Sequence, residues 1–137
     1  MNIIIASVGS VIENNLLSTL SQYYSDCSIS VFTSKTQVIK KVREANSIDV
    51  VIIGEKLSDI SGLDMVELLR DDSDMPIIYL SNDKDIKTLI SAFDKGATDY
   101  IVTPFSEKVF MARLNAIIRR RIWDLKIRDY NVFSETA

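Results

Sequence analysis

Short apolar runs alternate with longer amphipathic stretches along this chain, and that alternation constrains its fold more than any other feature. Five runs are rich in β-branched residues and too short for helices, which predicts strands at residues 2–6, 29–32, 50–53, 77–80 and 100–102. Four of them are almost entirely apolar, as is typical of strands buried on both faces of a parallel sheet.

The stretches between the strands have the apolar spacing of amphipathic helices. The fourth helix is predicted from about Asp85 to Gly96, because glycine commonly ends a helix. The fifth is predicted from Ser106, a suitable N-cap, to the arginines at 119–121. The apolar stripes are Ile12, Leu16, Leu17 and Leu20; Val38, Ile39 and Val42; Leu63, Val66 and Leu69; Ile86, Leu89, Ile90 and Phe93; and Phe110, Leu114, Ile117 and Ile118. This order predicts an α/β fold, (βα)₅, with a doubly wound parallel five-stranded sheet and a functional crevice at the carboxyl ends of the strands.

Composition narrows the class of protein. A chain of 137 residues suits one domain, and no run approaches the roughly 18 apolar residues of a membrane span. No basic leader precedes the first strand, and the single Cys27 indicates a reducing cytoplasm. A net charge of −3 gives no reason to expect nucleic-acid binding by this domain, and the absence of histidine removes the usual general base and zinc ligand. We therefore do not expect an enzyme.

Two segments resemble a known family. Residues 96–105 read GATDYIVTPF and residues 48–54 read IDVVIIG, and both resemble response-regulator receiver domains, which are phosphorylation-controlled switches of bacterial signalling. The resemblance covers about residues 2–121 and implies a flavodoxin-like or CheY-like receiver fold. It is most similar to the OmpR/PhoB type.

The resemblance implies a phosphorylation pocket, but this chain departs from the family at the reactive positions. Gly54 stands where the acceptor aspartate belongs, and Thr103 stands in place of the lysine. Ser7 and Val8 replace the acidic pair that holds Mg²⁺. Because Mg²⁺ sites in proteins usually include carboxylate ligands, we predict a degenerate pocket without Mg²⁺, without another cofactor and without phosphorylation.

Three polar residues around this pocket have competing interpretations. Glu55 is a candidate acceptor or phosphate mimic, but side-chain alternation along a strand predicts that it points away from the crevice into solvent. The resemblance assigns Ser81 to the hydroxyl that binds the phosphoryl group and Tyr100 to the switch aromatic. The alternatives are a serine bonded to a loop backbone group and a tyrosine of the core.

Two further positions carry structural predictions. The resemblance implies that the Thr103–Pro104 peptide bond is cis. Gly62 is predicted to lie in a turn before the third helix, where a positive φ would require glycine.

The resemblance also implies a homodimer through the face of the fourth helix, fifth strand and fifth helix. Asp99 and Arg113 correspond to an intermolecular ion pair, while Leu89 and Val109 replace a second charged pair by apolar residues. Since an apolar pair can stabilise as well as an ion pair, we expect a dimer without phosphorylation. The predicted interface comprises Leu89, Ile90, Phe93, Asp99, Val109, Met111 and Arg113, with Lys87, Asp94 and Lys95 at its rim. Leu89 and Phe93 could instead belong to the core.

Residues 122–137 are interpreted as the start of a second module. Trp123, Leu125 and Ile127 alternate with charged residues, which predicts a strand. The stretch resembles the linker and first strand of a truncated winged-helix DNA-binding domain, so the receiver domain is assigned to residues 1–121. The alternative is an extension of the last helix.

These features favour a regulatory module. The leading hypothesis is a phosphorylation-independent receiver of an OmpR/PhoB-type transcription regulator in two-component signalling, which binds DNA only through its effector domain. One alternative is a stand-alone adaptor that binds a protein through the same face. Another is a sensor that binds a neutral small molecule in a crevice lined by Ser7, Gly54, Ser81 and Thr103.

Overall fold

Five strands and five helices alternate along the chain. The computed structural model describes the backbone of residues 1–45 and 47–136 and, except at residues 10–14 and 128–136, their side chains. The strands are β1 (Asn2–Ala6), β2 (Ser28–Phe32), β3 (Val50–Ile53), β4 (Ile77–Ser81) and β5 (Asp99–Val102). The helices are α1 (Ser10–Tyr23), α2 (Lys35–Glu44), α3 (Gly62–Asp72), α4 (Ile86–Lys95) and α5 (Glu107–Thr136). The chain divides into two compact units, Met1–Phe105 and the segment from Ser106 onward.

All five strands form one parallel sheet in the order β2-β1-β3-β4-β5, which confirms the predicted fold class. The chain moves from β1 outward to β2, and then returns to place β3 on the other side of β1. The connections therefore reverse direction between β1 and β3. In open α/β sheets, the functional crevice lies outside the carboxyl ends of the strands at this reversal.

Strands β1, β3 and β4 are buried on both faces, as their apolar sequences predicted. Ile4, Val51 and Ile53 belong to one core cluster together with Val38 of α2 and Met65 of α3. Their sequence neighbours on the strands point to the opposite face and are also buried; these are Ile3, Ile5, Val50 and Ile52. Each fully buried side chain of this size stabilises the fold by about 1.5–3 kcal/mol. In α1, Leu16 and Leu20 are buried as predicted, whereas the side chain of Ile12 lies outside the described residues.

Helix α4 is held at its C-terminal end. Gly96 follows the helix with a φ of 116°, a left-handed conformation that favours glycine. The Arg70 guanidinium of α3 donates from Nε to the Gly96 carbonyl oxygen at 2.9 Å and from Nη1 to the Ser73 carbonyl oxygen at 3.1 Å. On the flank of α4, Lys95 Nζ lies 2.6 Å from Glu67 Oε2 of α3. The bond from Arg70 to Gly96 and the pair of Lys95 with Glu67 join α4 to α3 within one chain.

Gly62 was predicted to need a positive φ, and that prediction was wrong. Gly62 is the first residue of α3, and the positive φ expected there occurs instead at Gly96. A Cβ atom on Gly62 would lie 2.9 Å from Tyr79 Cε2 and would also collide with the Gly54 carbonyl oxygen. Glycine is therefore required at residue 62 for space rather than for backbone conformation.

The prediction of a strand after residue 121 was also wrong. Helix α5 continues without a break through the predicted boundary and ends at Thr136, which is the alternative extension of the last helix. Residues 105–137 contain no glycine or proline, so nothing in them interrupts a helix. The alternation at Trp123, Leu125 and Ile127 does not reflect a buried strand face, because these three side chains are exposed.

Within the described residues, none of the helices combines the length and the hydropathy needed to cross a membrane.

Candidate functional site

The predicted pocket residues meet at one edge of the sheet. Ser7, Gly54 and Thr103 follow β1, β3 and β5, and Ser81 is the last residue of β4. The Gly54 amide donates to the Ala6 carbonyl oxygen at 2.9 Å, and the Thr103 amide donates to the Ser81 carbonyl oxygen at 2.9 Å. The parallel sheet thus brings together the four positions at its carboxyl edge. Next to them, Val8 is exposed.

The space beside Gly54 is filled by Ser7. The Ser7 residue is only 3% exposed, and a Cβ atom placed on Gly54 would lie 2.9 Å from Ser7 Cβ and nearer still to Ser7 Oγ. Side-chain Cβ atoms essentially never approach other atoms this closely. Residue 54 therefore has no room for a carboxylate-bearing side chain while Ser7 keeps its position.

The prediction that Glu55 points away from the crevice was wrong. Its side chain is exposed, but Glu55 Oε1 accepts a hydrogen bond from Ser81 Oγ at 2.9 Å and another from the Asn82 amide at 2.7 Å. Strand β3 ends at Ile53, so the alternation of side chains along a strand does not extend to residue 55. Glu55 thereby connects the end of β3 to the end of β4.

Asp83 organises the loop between β4 and α4. Its amide donates to Ser81 Oγ at 3.0 Å, while its carboxylate accepts from the Asp85 amide at 2.8 Å and from Thr88 Oγ1 at 2.7 Å. The bonds from Asp85 and Thr88 lower the pKa of Asp83. Sequence reasoning missed this residue, although a run of Asn and Asp before a helical stripe is a usual signal of helix initiation.

Tyr100 is a tyrosine of the core, which is the second of the two interpretations given for it. The residue is buried in the core cluster, and its hydroxyl donates to the Asp83 carbonyl oxygen at 2.6 Å. Its ring packs against Tyr79, with centroids 5.4 Å apart and the planes tilted by 57°. Burial, and then the nearby negative charge of Glu55, raise the pKa of Tyr79 to about 12.

The side chains at this edge do not fit the magnesium ion that the resemblance implies for the family. Ser7, Gly54, Ser81 and Thr103 are uncharged, and the neighbouring carboxylates of Glu55 and Asp83 each already accept two hydrogen bonds. In the part of the chain that the structure describes, no group of three or more His, Cys, Asp or Glu residues is placed to hold a metal. The predicted cis bond at Thr103–Pro104 is confirmed.

The predicted interface residues differ in exposure. Leu89, Ile90 and Phe93 are exposed on α4, and so is Ile86, which is 67% exposed and was not predicted. On α5, Val109 and Arg113 are exposed, while Asp99 of β5 is partly exposed. The inclusion of Met111 was wrong, because this residue is 3% exposed. Lys95 pairs with Glu67 in the same chain and is not a free rim charge.

Comparison with known proteins assigns the family. The response regulator receiver domain model matches residues 10–115, and this chain therefore belongs to that family. The probable transcriptional regulator ycf27 of Cyanidium caldarium is 29% identical over 121 residues, which cover 87% of this chain and 49% of the relative. The DNA-binding response regulator MtrA of Mycobacterium tuberculosis is 36% identical over 85 residues, which cover 62% of this chain and 37% of the relative. The chain thus spans about half the length of these curated relatives or less.

Solved structures show the same fold. A two-component response regulator from Clostridium difficile has a TM-score of 0.79 at 22% identity, covering 88% of this chain and 98% of its own. The signal receiver domain of an HD domain-containing protein from Pseudomonas fluorescens has a TM-score of 0.82 at 18% identity, covering 91% of each chain. The predicted receiver fold is confirmed.

The contact between Ser7 and Gly54 predicts a coupled pair of substitutions. Gly54→Ala should lower the free energy of unfolding by about 1–3 kcal/mol, because the added methyl group has no space. In the Ser7→Gly background the same change should cost much less, since the opposing side chain is gone. Urea unfolding followed by circular dichroism measures all four members of the cycle. If the changes in the free energy of unfolding at the two positions were additive, the contact would be contradicted.

Tyr79 predicts a loss of stability at alkaline pH. Its pKa is about 12 in the folded chain against a usual value of 10.0, so the unfolded state releases this proton first as the pH rises. The free energy of unfolding should therefore fall by about 2–3 kcal/mol between pH 10 and pH 12. Tyr79→Phe should remove that part of the decline. Tyr23→Phe, at an exposed position, is the control and should leave it; an unchanged slope in Tyr79→Phe would contradict the assignment.

Proposed function

We propose that this chain is the phosphorylation-independent receiver domain of a transcriptional response regulator of the OmpR/PhoB type. It acts in the cytoplasm, in two-component signalling, by forming a homodimer. The observation that carries the proposal is the buried Ser7 side chain, which occupies the space beside Gly54 where an acceptor side chain would have to stand.

Phosphoryl transfer needs groups that this edge of the sheet does not offer. The transferred group needs an acceptor oxygen, and its charge is normally stabilised by bound metal ions and by a lysine or arginine. Gly54 has no side chain, Ser7 and Val8 carry no charge to hold Mg²⁺, and Thr103 brings no cation. With all these groups missing together, we propose that the domain is neither phosphorylated nor an enzyme.

The role in transcription rests on the relatives. Those reported above carry names of transcriptional or DNA-binding regulators, and the matched region is only part of each. With a net charge of −3, this chain is poorly suited to neutralise DNA phosphates. We propose that DNA is bound by an effector domain that follows the receiver, and that dimerisation pairs two effector domains on repeated half-sites.

The dimer is proposed to form through α4, β5 and α5. Four apolar side chains of α4, at residues 86, 89, 90 and 93, are exposed, and a contiguous exposed apolar surface is typical of an interaction site. Val109 on α5 is also half exposed. Asp99 and Arg113 complete the proposed interface as an intermolecular ion pair. Met111 is left out of the proposed interface because its side chain is buried.

Two other candidates remain as outcomes of the tests. A small-molecule sensor is disfavoured because Ser7 and Ser81 are 3% and 1% exposed, and the Ser81 hydroxyl is already bonded to Glu55. A stand-alone adaptor would use the same α4 surface for a different protein. It would be favoured by a domain that stays monomeric but retains that surface.

Sedimentation velocity of the untreated domain over a wide concentration range tests the dimer. We expect a dimer without a phosphoryl donor. Ile90→Glu should weaken it at least tenfold, because a charge would be buried in an apolar contact, and Asp99→Ala and Arg113→Ala should weaken it less. Lys40→Ala on α2 is the control and should have no effect. A monomer at all concentrations would contradict the proposal, as would variants that all dimerise like the parent.

Incubation with labelled acetyl phosphate and Mg²⁺ tests the missing chemistry. Neither the unsubstituted domain nor Gly54→Asp should take up label, because Ser7, Val8 and Thr103 remain and the new side chain has no space beside Ser7. A typical receiver domain in the same assay is the positive control. Stoichiometric labelling of either protein would overturn phosphorylation independence.

A further inference from the structure

We infer that the Ser81 hydroxyl and the Asn82 amide form an anion site, which the Glu55 carboxylate fills from within the same chain. We further infer that this occupancy fixes the loop between β4 and α4 and the start of α4. The consequence for dimerisation rests on the proposed function, whereas the anion site itself rests on geometry alone.

One oxygen atom is the centre of the site. Glu55 Oε1 accepts from Ser81 Oγ at 2.9 Å and from the Asn82 amide at 2.7 Å, so two donors of consecutive residues converge on it. Hydrogen bonds to an ionised carboxylate are shorter and stronger than those between neutral groups. Two converging donors at the end of β4 are a fitting site for one anionic oxygen, whichever molecule carries it.

The site is connected to the loop through Ser81. While its hydroxyl donates to Glu55, Ser81 Oγ accepts from the Asp83 amide at 3.0 Å. A hydroxyl group can donate one hydrogen bond and still accept others, so the two bonds are compatible and orient each other. The position of Asp83 therefore depends on the acceptor that orients the Ser81 hydroxyl.

Asp83 also forms hydrogen bonds with two other elements, so its position affects both of them. Its carboxylate accepts from Thr88 Oγ1 in the first turn of α4 and from the amide of Asp85, the residue that caps α4. Its carbonyl oxygen accepts from the buried Tyr100 hydroxyl at 2.6 Å. A displaced Asp83 would remove the hydrogen-bond acceptor of Tyr100 and the contact with the first turn of α4.

The exposed apolar side chains of α4 begin directly after this loop, with Ile86 as the first residue of the helix. If the loop between β4 and α4 keeps one conformation, the exposed apolar side chains at the start of α4 keep one position as well. The internal carboxylate thus does continuously what a covalently attached anion would do transiently, and the dimerisation surface is ready without a modification.

Substitution of Glu55 tests the anion site, with amide hydrogen exchange measured by NMR as the readout. In Glu55→Ala the Asn82 and Asp83 amides should exchange roughly tenfold faster or more, because a charged acceptor has been removed. Glu55→Gln keeps a carbonyl oxygen within reach and should have a smaller effect. Glu44→Ala removes an exposed carboxylate of α2 and should leave both amides unchanged. Unchanged exchange at Asn82 in a folded Glu55→Ala variant would overturn the site.

Chemical rescue identifies the ligand class. Adding acetate to the Glu55→Ala variant should restore part of the protection of the Asn82 amide and return its proton chemical shift toward the parent value. Sodium chloride at the same ionic strength should not. An acetate response no larger than the chloride response would overturn the assignment of an anion site, even if the loop had loosened.

A second variant tests the connection to α4. Ser81→Ala keeps Glu55 but removes the hydroxyl, so the amides of Asp83 and of the first α4 turn should exchange faster, as in Glu55→Ala. If Asn82 loosens while the α4 amides do not, the link to α4 is overturned. A failure of the proposed function is distinguishable, because a monomeric or phosphorylated parent domain would leave these exchange results unaltered.

Discussion

Burial of the sheet on both faces decides where polar groups can stand in this domain. Side chains on β1, β3 and β4 have apolar neighbours above and below, so a charged group there would be desolvated without a partner. On these three strands the polar residues other than Tyr79 therefore stand at the ends, with Asn2 first in β1 and Ser81 last in β4. Because all five strands run parallel, their carboxyl ends share one edge, and the residues that follow them meet without any local sequence signal.

The residues at that edge interact by packing and hydrogen bonding, and they lack the groups for phosphoryl transfer. The Ser7 side chain excludes an acceptor at Gly54, and Glu55 supplies a hydrogen-bonded carboxylate to the end of β4. Because Glu55 is exposed, solvent screens these bonds, and their contribution to stability is modest. Their effect is positional, since they join the end of β3 to the end of β4.

Local sequence patterns predicted the strands closely, because each strand is a short run of buried β-branched residues. The observed β2 begins one residue before the predicted one, at Ser28, and β5 begins one residue earlier, at Asp99. The absence of a carboxylate at Gly54 and of a cation at Thr103 was equally visible in the sequence.

Features that depend on contacts between distant segments could not be predicted in this way. The contact of Ser7 with Gly54 joins the ends of two strands, and the orientation of Glu55 depends on where β3 stops. The alternation after residue 121 was compatible with both a strand and a helix on an exposed surface, so periodicity alone could not decide between them.

The Ser7–Gly54 contact also limits how such a domain can change over generations. An aspartate at residue 54 would clash with the Ser7 side chain. It would therefore lower the stability of the fold before it could serve as an acceptor. An acidic residue that arises first at residue 7 would place an unpaired charge in a buried position, which costs several kcal/mol. Neither first step is neutral. The first step toward an acceptor would have to be a smaller side chain at residue 7, which removes the contact before an aspartate arises at residue 54.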